Sequence, residues 1–540
     1  MPKPTHVVLE GSERHHLAGA KATGAANPHE FVELTIKVRG TKPLPDLTER
    51  PVKAVTHKAL LAEYGAAAAD IKKTSDVLAK FGLQVIGENT AARSLYLGGT
   101  VKQMEAAFDV KLMSYTHESG DFRGRIGFVH IPKELKGIVS GVFGLDSRRM
   151  IYRKKHPQLK ASLSMADAVQ RAWFFPAELA ARYNFPASDG TGQSVGILEF
   201  GGGYFEADLK SFCSLAKVPV PKVVPVSVDH TSTVSKDEVT VEVMMDIEIV
   251  AGLCPKATIP VYFGHFTERG WINILDKAIH DTVNKPSVLS VSYGLAEGQN
   301  VWTTGAMTTI NNAFKEAALL GITICISSGD DGSDAQVGDG YAHVNFPCSS
   351  PYVLAVGGTN LQVVNGKNDE TVWKDGDGLR ADGGGSTGGG SSAVFDRPVW
   401  QKSIAITSID PGAIVGRLVP DVAAHAQTDG NTTGYFIVVE GQSMRNGGTS
   451  AAAPLWASLI GRCNALLGAG KKVGYLTPLL YQPVKGGTNT LGAAGCNDIT
   501  VGDNDSAHIG GYAAGPGYDA ATGWGSPDGT ALLNALKKLI

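Results

Sequence analysis

The sequence predicts an α/β protein. Its larger rear part is a mostly parallel sheet flanked by helices, preceded by a smaller α+β domain of the split βαβ, ferredoxin-like kind. Three observations lead there. Short apolar runs ending in glycine or a polar turn recur through the rear part: GQSVGILEF, KATIPVYFG, KPSVLSVSYG, GITICISSG and SPYVLAVGG. Helical spacing of apolar residues separates several of them, as in TERGWINILDKAIHD and TTGAMTTINNAFKEAALLG, and strands buried on both faces read in this continuous way. The front part instead follows the order strand, helix, strand, strand, helix, strand.

In the front part FVELTIKVRG alternates as a strand, and HKALLAEYGAAAADIKKTSDVLAKFG reads as one or two helices ending at a glycine. LQVIGENTAARSLYLGG contains two strands, TVKQMEAAFDVKL a helix opened by Thr100, and YTHESGDFRGRIGFVHIP returns to strand. No catalytic constellation lies here. RRMIYRKKHPQLKASLSMAD is basic, polar and poorly periodic, the reading of an exposed linker. The expected division is a front domain over 1–154, a linker with a processing site over 155–175, and a rear domain over 176–540. A small, catalytically empty domain on a cleavable linker suggests a propeptide; an ordinary accessory domain is the alternative.

Charge follows the same division. Residues 1–170 carry a net +8 and the remainder a net −11, within 540 residues of net −3, so the two parts can attract each other while both are charged. No basic run with interleaved aromatics argues for nucleic acid. No apolar run is long enough to span a bilayer, and MPKPTHVVLEGSERHH lacks the apolar segment of an ordinary secretory signal. All six cysteines lie in the rear part without CxxC spacing, which excludes a zinc-ribbon pattern and leaves disulfides undetermined. Cys325, within GITICISSG, reads as a buried thiol.

Candidate chemistry centres on Asn446-Gly447-Gly448-Thr449-Ser450-Ala451-Ala452-Ala453-Pro454. The preceding YFIVVEGQSM reads as strand and the following LWASLIGRCNALL as helix, so Ser450 falls where a glycine-bent turn enters a helix, as exposed nucleophilic serines do. The competing expectation is that Thr449 or Ser450 merely caps the helix. Glu199 in ILEFGGG and Asp330 in ISSGDDGS also close apolar runs, at the carboxyl ends of strands where sites of parallel sheets gather.

DEVTVEVMMDIEIVAGLCP spaces Glu238, Glu242 and Asp246 by four, one stripe on a helix. A solvated acidic face is the ordinary expectation for such a stripe. If it faces a pocket, two close carboxylates share a proton and titrate in separated steps. The histidines of the rear part are His230, His265, His280, His343, His425 and His508. None sits in the HGT helix start of a Ser-His-Asp protease, so a histidine base is poorly supported.

Taken in order, ILEFGGGY, KPSVLSVSYG, GDDGS, FPCSSPYVLAVGGT, GGTSAAAP and the tail NDIT…AGPGYD resemble the sedolisin-type serine-carboxyl peptidases, kumamolisin-like members above all. The resemblance runs over nearly the whole chain, its front part being similar to the family's propeptide. It implies a subtilisin-like sheet and a proenzyme whose own propeptide is its intramolecular inhibitor, acting as a monomer on protein or peptide substrates outside the cell. Carried over residue by residue, it makes Ser450 the nucleophile, Glu242 the general base and acid, Asp246 the carboxylate that orients Glu242, and Asp330 the oxyanion donor. Glu199 corresponds to an outer glutamate beyond the Glu–Asp pair. Tyr293 stands where the family commonly has tryptophan, keeping an aromatic donor with a different reach.

Acid explains such a set: imidazole is protonated there and cannot take the serine proton, whereas a glutamate can. Asp330 has the reverse need, a proton to donate. The resemblance also implies one structural Ca²⁺, held by Asp498, Asp519 and the carbonyls of Ile499, Gly515 and Gly517, an all-oxygen set that suits a hard cation. Two rivals remain on the residues: a noncatalytic calcium-binding relative of the same fold, and a histidine-dependent subtilisin-like protease. ADGGGSTGGGSS (381–392) reads as a mobile loop near the substrate cleft, and PDVAAHA (420–426) as a packed turn and strand edge.

Overall fold

A computed structural model of the chain describes residues 5–48, 53–150, 173–298, 301–378, 385–428, 433–468 and 470–540. The front domain is built from β1 (Phe31–Val38), α1 (His57–Tyr64), α2 (Ala68–Ala79), β2 (Gln84–Asn89), β3 (Ser94–Thr100), α3 (Val101–Phe108) and β4 (Val139–Phe143). The sheet runs β2-β3-β1-β4 with every pair antiparallel. Thr100 opens α3 in a capping box: its hydroxyl accepts from Gln103 N, and Gln103 Oε1 accepts from Thr100 N at 2.7 Å. Leu34, Ile36, Leu97, Met104 and Phe108 fill the core between sheet and helices.

The fourth strand is not the expected one. YTHESGDFRGRIGFVHIP turns at Gly120 (φ +110°) and folds back as Met113–Thr116 and Phe122–Gly124, which join Lys21–Ala25 in a separate small sheet. VSGVF closes the main sheet instead. Its glycine weakened the strand signal, yet that glycine is required: a Cβ at Gly141 would lie 2.4 Å from the Phe143 ring.

In the rear domain all five apolar runs are strands: β5 (Val195–Glu199), β7 (Thr258–Phe263), β8 (Val288–Val291), β9 (Thr323–Ser327) and β10 (Leu354–Val364). They are joined by β6 (Lys222–Ser227), β11 (Lys367–Val372) and β12 (Val422–His425) in one eight-stranded sheet. The order is β6-β7-β5-β8-β9-β10-β11, with β12 also on β10, and only the β10–β11 pair is antiparallel. Strand order reverses around β5, which places the carboxyl ends of β5, β8 and β9 at a topological switch point.

Helices α4 (Thr240–Leu253) and α7 (Thr449–Leu466) cover one face of the sheet, and α5 (Glu268–Ile279) and α6 (Thr304–Leu319) the other, each pair over its own apolar core. YFIVVEGQSM is a hairpin rather than one strand: β13 (Gly434–Val439) and β14 (Gln442–Asn446) turn at Glu440 and Gly441, both at positive φ. PDVAAHA lies within the sheet as β12.

Of the glycine-rich stretch, 381–384 fall outside the described residues. Residues 385–392 are buried, against the expectation of a mobile loop, because the chain threads between other backbones. A Cβ at Gly388 would lie 2.2 Å from Ser328 O, and one at Gly389 2.1 Å from Ala520 O. Of the expected linker, 155–172 likewise fall outside the described residues. Trp173 and Phe174, placed at its end, are a buried strand paired with β13.

The front sheet rests on α5 and α6, and charge complementarity is concentrated in that contact. Lys37 pairs with Asp276 at 3.0 Å, Arg14 with Glu268 at 2.8 Å, and Arg93 with Glu316. Ser94 Oγ donates to Asp276 at 2.6 Å, and His280 bonds Glu316 at 2.9 Å. Burial works against the charge of Glu316, but Arg93, His280 and Lys37 hold its carboxyl below the ordinary value. Arg269–Glu33, at 3.1 Å, reverses the polarity at the rim.

Other carboxyls are buried without cations. Glu248 on α4 accepts from Val438 N at 2.8 Å, yet burial, with Asp208 nearby, raises it well above the ordinary value. Burial likewise raises Glu370, against donation from Thr359, Tyr183 and Ser526, and Glu297, against donation from Ser392 and Ala393. For such groups the folded chain holds protons that the unfolded chain releases. Their contribution is full below the ordinary carboxyl pKa and is lost as pH rises through the folded value. His425, its ring held down by burial, works the other way as pH rises through the ordinary imidazole value. With three raised carboxyls against it, thermal melts of the full chain should show lower stability at pH 8 than at pH 5. Glu248→Gln, which keeps the acceptor and cannot ionise, should narrow the gap by roughly 1 °C per kcal/mol recovered in a chain of this size. An equal gap in that variant would exclude Glu248 as a source.

Candidate active site

The first turn of α7 is shaped by what precedes it. Gly448, at φ +88°, is the N-cap, with its N–H on Ala426 O at 2.6 Å, so Thr449 and Ser450 are the first two helical residues. Neither caps the helix. Asp330, three residues past β9, does so from outside: its Oδ1 accepts from Thr449 N at 2.8 Å and from Thr449 Oγ1 at 2.7 Å. Gly329 is needed beside it, because a Cβ there would lie 2.0 Å from Asn345 Nδ2. The glycine-rich stretch expected to be a mobile loop near the cleft supports this turn, since Ser386 N donates to Asp330 O at 2.9 Å and Gly388 N to Gly329 O at 2.8 Å.

The acidic segment is a helix, and its polar stripe is not solvated. Glu242 is 4% and Asp246 0% exposed, while Glu238 lies exposed before the helix begins, so two of the three spaced acids belong to the site. α4 packs directly on α7, and Glu242 sits one turn before Asp246. Ser292, just past β8, joins the two helices: its Oγ lies 2.5 Å from Asp246 Oδ2 and 3.0 Å from Ser450 O. Ser450 Oγ, 2% exposed as a residue, donates to Ser292 O at 3.4 Å. Next in sequence, Tyr293 donates its hydroxyl to Glu199 Oε2 at 2.8 Å, at the end of β5. Phe200 and Phe266 hold its ring, at centroid distances of 5.1 and 5.6 Å.

The sequence-derived residues Ser450, Asp246, Asp330, Glu199 and Tyr293 thus sit, with Glu242, around the carboxyl ends of β5, β8 and β9. Ser292 and Thr449 were not assigned roles from sequence, although a serine closing the run KPSVLSVS is the kind of position the strand-end rule selects. The bonds of the rear histidines lead elsewhere: His265 to Asp229 O, His280 to Glu316, His343 to Asp339. His425 accepts at Nδ1 from Leu361 N and donates from Nε2 to Thr433 O, and burial holds its ring down at about 3. A cavity of about 1050 Å³ lies between the two domains, and none of Ser450, Glu242, Asp246 and Asp330 lines it. Phe200, Gly201 and Asp237 line it from the rear domain, Glu33 and Arg123 from the front.

In the tail, segments 498–499 and 515–519 converge. Gly517 N donates to Asp498 Oδ2 at 2.9 Å and Gly515 N to Asp519 Oδ2 at 3.3 Å. Burial pushes Asp519 up to about 6, against N–H donors from Thr522, Ala521 and Gly515. A carboxyl so placed is stabilised in its charged form by a nearby cation, and the oxygen-only set of two carboxylates and backbone carbonyls fits a hard one.

The sequence profile of the Pro-kumamolisin activation domain matches residues 48–148, and that of the subtilase family residues 232–468. The chain is 37% identical to kumamolisin of Bacillus sp. (strain MN-32), over 98% of this chain and 96% of that protein. It is 28% identical to tripeptidyl-peptidase sed5 of Aspergillus fumigatus, over 98% and 97%. Among solved structures, Pseudomonas sedolisin, a serine-carboxyl proteinase complexed with two molecules of pseudo-iodotyrostatin, matches with TM-score 0.57 at 27% identity, covering 68% of this chain and 98% of that one.

Proposed function

The chain belongs to the kumamolisin and sedolisin family of serine-carboxyl peptidases, and from that premise we propose that it is an acid-active endopeptidase using Ser450, Glu242, Asp246 and Asp330. It is a serine-type peptidase that carries its own activation domain. The observation that carries the residue assignment is the Ser292 bridge between Asp246 and Ser450 across two packed helices. Ser450 attacks the peptide carbonyl while the Glu242 carboxylate takes the hydroxyl proton. Asp246, one turn on, shares that proton and fixes the orientation of Glu242. Glu242 then protonates the departing amine, and water repeats the sequence on the acyl-enzyme.

Asp330 receives the oxyanion. Its Oδ1 is engaged by both donors of Thr449, so a proton on this carboxyl belongs on Oδ2, from which it is donated to the developing charge. Ionisation removes that donor. The bond from Tyr293 to Glu199 supports an outer extension of the chain in which tyrosine serves as donor. The expected pH–rate profile on an unfolded protein substrate peaks in acid and falls as pH rises. Ser450→Ala and Glu242→Ala abolish cleavage, and Asp330→Ala lowers kcat by roughly 100- to 1,000-fold. Asp330→Asn, whose amide donates at any pH, should flatten the fall on the neutral side. An optimum at neutral or alkaline pH would refute the assignment.

We read the 1–154 domain as the inhibitor in cis and cleavage within 155–175 as its release. The carboxylate of Glu316, depressed in the joined state, holds the domains together above its ordinary pKa, and that hold is lost as pH falls through the lowered value. Glu316→Gln should therefore let self-processing begin at a higher pH, and added salt should do the same to a smaller degree. Processing indifferent to both would remove the interface from the activation step.

For the tail we propose that Asp498, Asp519 and the carbonyls of Ile499, Gly515 and Gly517 hold a calcium ion. Bound there, the ion supplies the positive charge that a buried carboxylate lacks, and so supports folding rather than the reaction. Chelation should lower the melting temperature, and Asp519→Asn should make the chain insensitive to chelator. A melt unchanged by chelator would count against the ion. Protein and peptide substrates, a monomeric state and action outside the cell complete the reading; no helix among the described residues is long and apolar enough to cross a membrane.

A further inference from the structure

Helix α7 contains Pro454, four residues after Ser450. In an α-helix the carbonyl of Ser450 would accept from the N–H of residue 454, and proline has none. The carbonyl of the candidate nucleophile is thus stripped of its helical donor at a buried position, where an unmet carbonyl is destabilising. Ser292 fills the place, with Oγ 3.0 Å from Ser450 O. The same oxygen lies 2.5 Å from Asp246 Oδ2. Ser292 is 1% exposed, so no water competes freely for its hydroxyl.

One hydroxyl has one proton, and two acceptors are in reach. We propose that Ser292 is a positioning residue that, together with Pro454, couples the first turn of α7 to the protonation state of Asp246. With Asp246 ionised, the Ser292 hydroxyl donates to Oδ2. With a proton on Oδ2, that proton is donated to Ser292 Oγ, and the Ser292 hydroxyl turns to the Ser450 carbonyl. The nucleophile is then held on both sides of its peptide, by Asp330 through Thr449 N and by Ser292 through Ser450 O. The inference rests on the catalytic reading of Ser450, Glu242 and Asp246.

At this end of the sheet the titratable groups are Glu242, one turn before Asp246 on α4, Glu199 at the end of β5 with Tyr293 past β8, and Asp330 on Thr449. On the opposite side of α4, Glu248 faces β13 near Asp208 and Cys213. Helix Pro176–Arg182, also packed on α4, directs Glu178 to Phe175 N and Arg182 to Asn368. Arg462 of α7 bonds Leu253 O at the far end of α4.

The test is kcat and KM across pH for Ser292→Ala, Ser292→Thr, Pro454→Ala and the Ser292→Ala/Pro454→Ala pair, beside Ser450→Ala. Ser292→Ala should lower kcat by roughly 10- to 100-fold with KM little changed, the loss of one hydrogen bond to a charged group. It should also move the acid limb of the profile upward, because ionised Asp246 loses a donor. Ser292→Thr should restore both. Pro454→Ala returns an N–H to the Ser450 carbonyl, so in the pair it should recover melting temperature but not the limb. Should Ser292→Ala fail to fold, Ser292→Cys, similar in size with a weak donor, takes its place. A lowered melting temperature with an unmoved acid limb, or no rescue by threonine, overturns the inference. Activity surviving in Ser450→Ala would instead overturn the catalytic reading beneath it.

Discussion

Carboxyl groups taken out of water govern this structure. Removed from solvent, a carboxyl stays charged only beside a cation or several donors; otherwise it keeps its proton. Both outcomes occur, and they are sorted by location. At the contact between the domains, Asp276, Glu268 and Glu316 face Lys37, Arg14 and Arg93. Within the rear domain Glu248, Glu297 and Glu370 meet hydroxyls and N–H groups only, and burial raises all three. The first group favours the joined chain where carboxylates are ionised, the second favours the folded rear domain where they are not.

Much of this was legible in the chain and some was not, for identifiable reasons. The five apolar runs became strands because a strand buried on both faces needs apolar residues at every position. Ser450 was singled out by the glycine-bent turn that enters a helix, and Glu199 and Asp330 by their places at strand ends. The stripe on α4 was ambiguous because spacing alone does not say what a helix face touches. Burial of Glu242 and Asp246 depends on α7, some 200 residues on. Val139–Phe143 was missed because Gly141 serves a close approach of the Phe143 ring, which no local pattern encodes. The glycine-rich stretch misled in the same way: glycines that read as freedom are there because backbone passes within 2.2 Å of where a Cβ would stand.

The split of charge between the two parts of the chain predicted attraction without location. Three cation–carboxylate pairs lie buried along α5 and α6, on the face of the sheet opposite α4 and α7. Removing one partner of a buried pair is strongly destabilising, roughly 3–5 kcal/mol, even where the intact pair contributes little net. Protonating Glu316 amounts to such a removal, leaving Arg93 without its carboxylate. The contact therefore responds steeply to acid while being firm above it, a property that a hydrophobic seam of equal area would lack.

Under the mechanism proposed here, the acid that loosens this contact is also what the site would need. In that mechanism Asp330 holds a proton to donate and Asp246 shares one with its neighbour, while burial raises Glu248 and so favours the folded rear domain in acid. No separate signal has to travel between the two faces of the sheet, because each face titrates on its own and in the same direction. At the interface burial works to raise the Glu316 carboxyl, but Arg93, its bond to His280 and Lys37 hold it down. In the activation proposed above, the strength of that hold sets how acid the surroundings must become before the contact opens.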